Sequence, residues 1–77
     1  MKNIKILGTG CKACETTFNL FRIAAEQAGV EIELEKVTDT AAIMGYGVMS
    51  TPGIVVDGVV VHAGGLPGPD QIRQWVS

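Results

Sequence analysis

Two cysteines, the only ones in the chain, stand three residues apart in the segment Cys11-Lys12-Ala13-Cys14. A glycine-containing turn, Gly8-Thr9-Gly10, precedes them and a helical pattern follows, so we expect the pair at the start of a helix. Residues three apart on a helix have β-carbons about 5–6 Å apart, whereas a disulfide needs roughly 3.5–4.5 Å. A small adjustment therefore lets the two sulfurs bond or separate, as disulfide exchange requires.

The predicted position at a helix N-terminus also tunes reactivity. The N–H groups of a first helical turn have no intrahelical partner and carry the positive end of the helix dipole. A thiolate there is stabilised, and its pKa falls below the ~8.5 of free cysteine. Lys12, between the two thiols, is expected to add positive potential. We predict Cys11, which faces the open end, as the nucleophile and Cys14, one turn further in, as the resolving thiol.

The cysteine pair could also serve a structural, metal-binding or sensing function. A structural disulfide closing so short a loop gains only about 2 kcal/mol, against about 3 for a loop of fifteen residues, so this role is disfavoured. Soft thiolates suit Cu(I) or Zn(II), but two of them supply only part of the usual four-ligand zinc shell. We therefore assign no metal ligands, and keep a soft-metal (copper or zinc) binding module and a non-catalytic redox sensor as alternatives.

Composition narrows the class of protein. The chain has 77 residues, of which 47% are apolar, and we expect one domain over residues 1–77. A net charge of −2 with mixed signs gives no indication of nucleic acid or a membrane as a partner. No apolar run approaches a membrane span and no signal-peptide core is seen, so a cytoplasmic location is expected. In a reducing compartment, a close cysteine pair indicates catalysis or metal binding.

The elements before and after the pair follow from hydrophobic periodicity. An isoleucine-rich strand is predicted over Met1–Leu7, a helix from about Cys11 to Ala28, and a half-exposed strand over Val30–Leu34. The apolar stripe of the helix consists of Cys14, Phe18, Phe21, Ala25 and Ala28. Because a helix joins the first two strands, they should be parallel with a right-handed crossover.

The second half of the chain predicts four more elements. They are a short helix over about 40–46, a strand over 53–56, a strand over 59–62, and a last helix beginning at Pro69. Asp57-Gly58 between the last two strands is a two-residue hairpin signal, so these strands should be antiparallel. His62 is predicted to lie at the surface. The resulting α/β order, β-α-β-α-β-β-α, predicts a four-stranded mixed sheet with helices on both faces.

This pattern resembles the thioredoxin superfamily, and most of all its small, glutaredoxin-sized redox-active disulfide proteins of prokaryotes. Three features carry the resemblance: the Cys-x-x-Cys segment after the first strand, Ser50-Thr51-Pro52-Gly53 before the third, and Gly64-Gly65 after the fourth. The resemblance implies a thioredoxin-like fold and a dithiol–disulfide oxidoreductase acting on a protein or small-thiol disulfide. No cofactor is implied beyond the redox-active pair Cys11–Cys14.

The resemblance also implies roles for the other two segments. Pro52 is expected to be cis and to face the cysteines, with the backbone of Thr51 binding the client chain. Gly64 and Gly65 are similar to the glycine pair that borders the glutathione groove in glutaredoxins, or they form a plain loop. The implied partners are a disulfide-bearing client protein or small thiol, together with a thiol reductase or glutathione as reductant and candidate co-substrate.

Some positions depart from the family pattern. Thioredoxins usually have tryptophan before the first cysteine and proline between the two, where this chain has Gly10 and Lys12-Ala13. A gap-free alignment places Lys5 where thioredoxins bury an acid that assists proton transfer. Heavy-metal-associated domains share the position of the Cys-x-x-Cys segment but end with a strand, whereas this chain is predicted to end with a helix.

Overall fold

The structure is a computed structural model that describes residues 2–10 and 12–77. Its elements are β1 (Lys2–Leu7), α1 (Lys12–Ala28), β2 (Ile32–Val37), α2 (Thr40–Gly45), β3 (Gly53–Val56), β4 (Val59–Ala63) and α3 (Pro69–Val76). The predicted order of strands and helices is therefore confirmed.

The four strands form one mixed sheet in the order β2-β1-β3-β4. β1 is parallel to β2, as predicted for strands joined by α1, and the pairs β1–β3 and β3–β4 are antiparallel. Asp57 and Gly58 connect β3 to β4 with φ angles of 49° and 83°. Positive φ at both positions is typical of the tight hairpin turn that the sequence predicted.

Helices cover both faces of the sheet, again as predicted. On the face of α1 and α3, the buried cluster consists of Ile4, Ile6, Phe21, Ile54, Ile72 and Val76. On the face of α2, the buried cluster consists of Leu7, Ile43, Val48 and Val55. Neighbouring strand residues such as Ile6 and Leu7 join different clusters because successive side chains point to opposite faces.

Aromatic packing joins α1 to α3. The rings of Phe21 and Trp75 stack with their centroids 6.0 Å apart and their planes 8° from parallel. The ring of His62 lies 5.9 Å from that of Trp75, and its Nε2 atom is 3.2 Å from the Gly65 carbonyl oxygen. His62 therefore lies at the surface, as predicted, with one side of its ring against Trp75.

The start of β1 is tied to the end of α3 by a lysine. Lys2 Nζ donates hydrogen bonds to the carbonyl oxygens of Trp75 at 2.8 Å and Ser77 at 2.6 Å. Carbonyls at a helix C-terminus have no intrahelical partner and carry the negative end of the dipole. The ammonium group of Lys2 therefore satisfies these oxygens and fixes the last turn of α3 against the sheet.

The predicted strand Val30–Leu34 was placed too early in the chain. β2 spans Ile32–Val37, in register with the whole of β1. Val30 precedes the strand and caps the end of α1 instead, because its N–H bonds to the Ala25 carbonyl at 3.1 Å. Ala28 was also misassigned to the apolar stripe, since it is exposed.

Candidate active site

Cys14 lies in the first turns of α1 and is buried, with 6% of its surface exposed. Lys12 begins the helix and is exposed to solvent. Cys11, the predicted nucleophile, lies outside the described residues. Because it is buried, the Cys14 side chain is directed toward the body of the protein.

Gly8, directly after β1, provides the space for the Cys14 side chain. A β-carbon added at Gly8 would overlap Cys14 Sγ and would lie 3.0 Å from Cys14 Cβ. The Gly8 N–H also donates to the Val37 carbonyl at 2.9 Å, so the backbone is held in place. The sequence assigned Gly8 only to a turn. Its position between a buried strand and the cysteine pair is the signal that could have identified it.

The segment containing Thr51 and Pro52 also lies beside Gly8. The Thr51–Pro52 peptide bond is cis, Thr51 is exposed and Pro52 is buried. A β-carbon at Gly8 would be 3.8 Å from Thr51 Cβ. Cys14 and Thr51 thus both lie beside Gly8, and the structure brings these two candidate residues into the same neighbourhood.

Gly64 packs against this segment, whereas Gly65 does not. The Gly64 N–H donates to the Pro52 carbonyl at 3.0 Å, and a β-carbon at Gly64 would lie 2.9 Å from Ser50 Cβ. Gly65 is exposed, and a β-carbon there would have no neighbour within 4 Å. Of the glycine pair, Gly64 is thus the member that fixes the position of the 50–52 segment.

A cavity of about 140 Å³ adjoins Cys14 on the side of β2. Its lining includes Ile6, Gly8, Cys14, Glu15, Lys36 and Thr38. Lys36 approaches from β2, and its Nζ atom lies 4.8 Å from the centre of the Phe18 ring. Sequence analysis did not identify this cavity, because Glu15 and Lys36 come from different elements and only the tertiary structure brings them together.

Lys5, the residue that departs from the family's buried acid, faces away from this cavity. It alternates with Ile4 and Ile6 along β1, so its side chain lies on the α2 face of the sheet. There its Nζ atom pairs with Glu35 Oε2 at 3.5 Å. Among the described residues that line the cavity, Glu15 is the one carboxylate.

The described part of the chain offers neither a cluster of metal-binding side chains nor a membrane-spanning helix. Within residues 2–10 and 12–77, no three or more His, Cys, Asp or Glu side chains are grouped so that they could hold a metal ion. Over the same residues, no helix has the length and apolar character needed to cross a membrane.

The sheet order, the helices on both faces and the position of Cys14 define a thioredoxin-like protein. Comparison with known proteins agrees: the family model for a thioredoxin domain matches residues 2–77. A thioredoxin of Methanocaldococcus jannaschii is 38% identical over 71 residues, covering 92% of this chain and 81% of the relative. A thioredoxin of Methanothermobacter thermautotrophicus is 31% identical over 77 residues, covering 100% of both chains. The chain belongs to the thioredoxin family of thiol–disulfide oxidoreductases, as the resemblance implied.

Proposed function

We propose that this protein exchanges a dithiol for a disulfide, with Cys11 as the nucleophile and Cys14 as the resolving thiol. The observation that carries the proposal is the placement of Cys14. Its sulfur is buried in the first turns of α1, directly against Gly8 and close to the exposed Thr51. A buried second thiol beside an exposed docking segment suits the step that follows client binding.

The reaction balances as two successive exchanges. The Cys11 thiolate attacks one sulfur of a client disulfide, so that a Cys11–client bond forms and the client disulfide breaks. The released client thiolate takes up a proton. Cys14, as the thiolate, then attacks the Cys11 sulfur, forming the Cys11–Cys14 disulfide and releasing the second client thiolate. Two electrons pass from the protein to the client, and the reverse sequence oxidises a client dithiol.

We assign client binding to Thr51, Pro52, Gly64 and Gly65. The exposed Thr51 can offer backbone groups to an extended client chain beside Cys14, and the hydrogen bond from Gly64 to Pro52 holds that segment in place. Lys12, exposed at the start of α1, contributes positive potential next to Cys11. We place the reaction in the cytoplasm, where thiols are kept reduced. There a thiol reductase or glutathione would return the pair to the dithiol.

The last described element supports this reaction over the metal-binding alternative. Heavy-metal-associated domains end in a strand, whereas α3 (Pro69–Val76) packs through Ile72 and Val76 into the core shared with α1. The Thr51–Pro52 segment, held by the hydrogen bond from the Gly64 N–H to the Pro52 carbonyl, lies beside Gly8 and Cys14. A client chain docked on this segment would be next to the cysteine helix, as disulfide exchange needs.

Trapping of the mixed disulfide tests the proposal. Reduced Cys14→Ser protein mixed with insulin should accumulate a covalent Cys11–insulin adduct that dithiothreitol dissolves, because the resolving thiol is missing. Cys11→Ser is the matched control and should form no such adduct. Trapping on Cys11→Ser instead would reverse the two roles. Tight, stoichiometric zinc or copper with no exchange on insulin would replace the proposal by the metal-binding alternative.

A further inference from the structure

We propose that His62 is a positioning residue for client binding: its imidazole holds the loop of Gly64 and Gly65, and that loop holds the client-binding segment. This inference rests on the proposed function, because it concerns how Thr51 is presented to a client chain. His62 acts through the loop and takes no part in the thiol chemistry. The sequence placed it at the surface without a role.

The loop after β4 needs a contact from outside itself. Gly64 and Gly65 follow one another with φ angles of 82° and 73°, and glycine loses more backbone freedom on folding than any other residue. Packing does not hold Gly65, which is exposed and whose added β-carbon would have no neighbour within 4 Å. Within residues 2–10 and 12–77, the hydrogen bond that Gly65 makes is the one to the His62 ring.

The partner of this bond fixes the proton on the imidazole. His62 Nε2 lies 3.2 Å from the Gly65 carbonyl oxygen, within the range of N–H···O hydrogen bonds. A carbonyl oxygen accepts and cannot donate, so Nε2 must carry the proton. The bond spans three positions of the chain and thereby closes the turn after β4.

The His62 ring is itself held by a strand and a helix. Its backbone lies in β4 opposite Ile54. Its ring lies against Trp75 of α3, with the two planes tilted by 53°, and Trp75 in turn stacks on Phe21 of α1. Tilted aromatic pairs at such separations attract each other. Because the imidazole is already held, it loses little further side-chain freedom when it bonds to Gly65.

The loop transmits this restraint to the client-binding segment. The Gly64 N–H donates to the Pro52 carbonyl at 3.0 Å, and a β-carbon at Gly64 would lie 2.9 Å from Ser50 Cβ. A displacement of Gly65 moves its neighbour Gly64 and weakens the bond to Pro52. Since the exposed Thr51 directly precedes Pro52, its presentation to a client depends on where the loop is held.

Two substitutions of His62 separate the hydrogen bond from the packing of the ring. His62→Phe keeps an aromatic ring against Trp75 but removes the N–H donor. His62→Gln removes the ring but supplies a side-chain amide that can donate to the Gly65 carbonyl. If the hydrogen bond positions the loop, Gln replaces His and Phe does not. Far-ultraviolet circular dichroism should show that both variants are folded.

Amide hydrogen exchange of Gly64, followed by NMR, measures the hold on the loop without any client. The protein is kept oxidised, since Cys14 is disulfide-bonded in this structure. His62→Phe should speed Gly64 exchange about fivefold, which corresponds to the ~1 kcal/mol of one hydrogen bond. His62→Gln should exchange at the wild-type rate. The Gly8 amide, bonded to the Val37 carbonyl, is the internal control and should be unchanged in both variants.

Reduction of insulin, with dithiothreitol to recycle the protein, measures the consequence for clients. His62→Phe should raise KM for insulin about fivefold with kcat unchanged, the pattern of a lost binding contribution. His62→Gln should restore the wild-type KM. The rate with the small disulfide DTNB should be the same in all three proteins, because this reagent needs no docking beside Thr51.

The two measurements decide the inference separately from the proposed function. Wild-type exchange of Gly64 in His62→Phe, or equal impairment in His62→Gln, would overturn the positioning role. Faster exchange with an unchanged KM for insulin would also overturn it, because the loop would then not govern client binding. All these results leave the proposed function intact. Failure of the wild type to reduce insulin would instead overturn that function and, with it, the role of His62.

Discussion

Gly8 and Cys14 are in such close contact that no larger side chain fits at position 8. A β-carbon on Gly8 would overlap Cys14 Sγ and approach Cys14 Cβ to 3.0 Å. The Cys14 side chain belongs to the rigid α1 helix, and the Gly8 backbone is held by its bond to Val37. Neither partner can therefore yield without moving an element that shapes the site.

Gly8→Ala should consequently damage both stability and chemistry. We expect a loss of about 1–3 kcal/mol in the free energy of unfolding, as for other overpacked sites, and slower resolution by the displaced Cys14. Urea unfolding measures the loss of stability. The aromatic disulfide DTNB measures the chemistry, because the second coloured thiolate is released only when Cys14 attacks the mixed disulfide on Cys11. Gly45→Ala is the control, since a β-carbon there meets nothing within 4 Å and Gly45 ends a helix. Wild-type stability and kinetics in Gly8→Ala would contradict the tight contact.

Gly64→Ala should impair protein-disulfide turnover through Ser50. Gly64 has a φ of 82°, and its new β-carbon would lie 2.9 Å from Ser50 Cβ. Gly58→Ala shares the backbone strain at a φ of 83°, but its β-carbon meets nothing within 4 Å. Both variants should lose about 1 kcal/mol of stability, while Gly64→Ala alone should slow insulin reduction. Ser50→Gly combined with Gly64→Ala should recover turnover. If turnover is not recovered, the defect does not arise from the contact between position 64 and Ser50.

Lys2→Met should loosen the end of α3. The substitution keeps an apolar stem but removes the ammonium group that bonds to the Trp75 and Ser77 carbonyls. We expect a loss of about 1 kcal/mol, combining a charge-assisted hydrogen bond with the helix-dipole interaction. Lys12→Met, at the exposed start of α1, should cause no comparable loss. Equal unfolding midpoints in urea for Lys2→Met and the wild type would show that these hydrogen bonds do not stabilise the folded protein.

The predicted nucleophile can be tested by its reaction with iodoacetamide. In Cys14→Ser, the alkylation rate of Cys11 should rise with pH to a midpoint below the ~8.5 of a free thiol, because a helix N-terminus and a nearby lysine favour the thiolate. Lys12→Met in that background should move the midpoint upward. A midpoint equal to that of a free cysteine peptide would make Cys11 an ordinary thiol and remove the basis for its assignment as the attacking group.

The sequence predicted the order of elements and the sheet because hydrophobic periodicity is local. It placed β2 too early because the limits of that strand depend on pairing with β1, from Lys2 opposite Ile32 to Leu7 opposite Val37. Alternation along Val30–Leu34 could not show that Val30 closes the preceding helix. Long-range register, not propensity, decides where this strand begins and ends.

The candidate site was predictable only where residue type alone suggests chemistry. The cysteine pair, Pro52 and the glycine pair stand out in the sequence, but Glu15 and Lys36 resemble ordinary surface charges. Their shared cavity depends on the packing of α1 against β2, which also brings Lys36 over Phe18. The role of Gly8 likewise depends on the direction of the Cys14 side chain, which the sequence alone does not give.

The two faces of the sheet are unequally packed, and this affects how the protein opens locally. Among residues 2–10 and 12–77, the buried cluster under α2 has four members, against six under α1 and α3, and α2 is only six residues long. Helices so short are marginal without tertiary contacts, and sparsely packed segments exchange their amide hydrogens through openings smaller than global unfolding. We expect α2 amides to exchange faster than those of α1. Residues 46–51 follow α2 directly, so local opening of α2 would let the segment proposed to bind clients adjust to different client shapes without unfolding the longer α1.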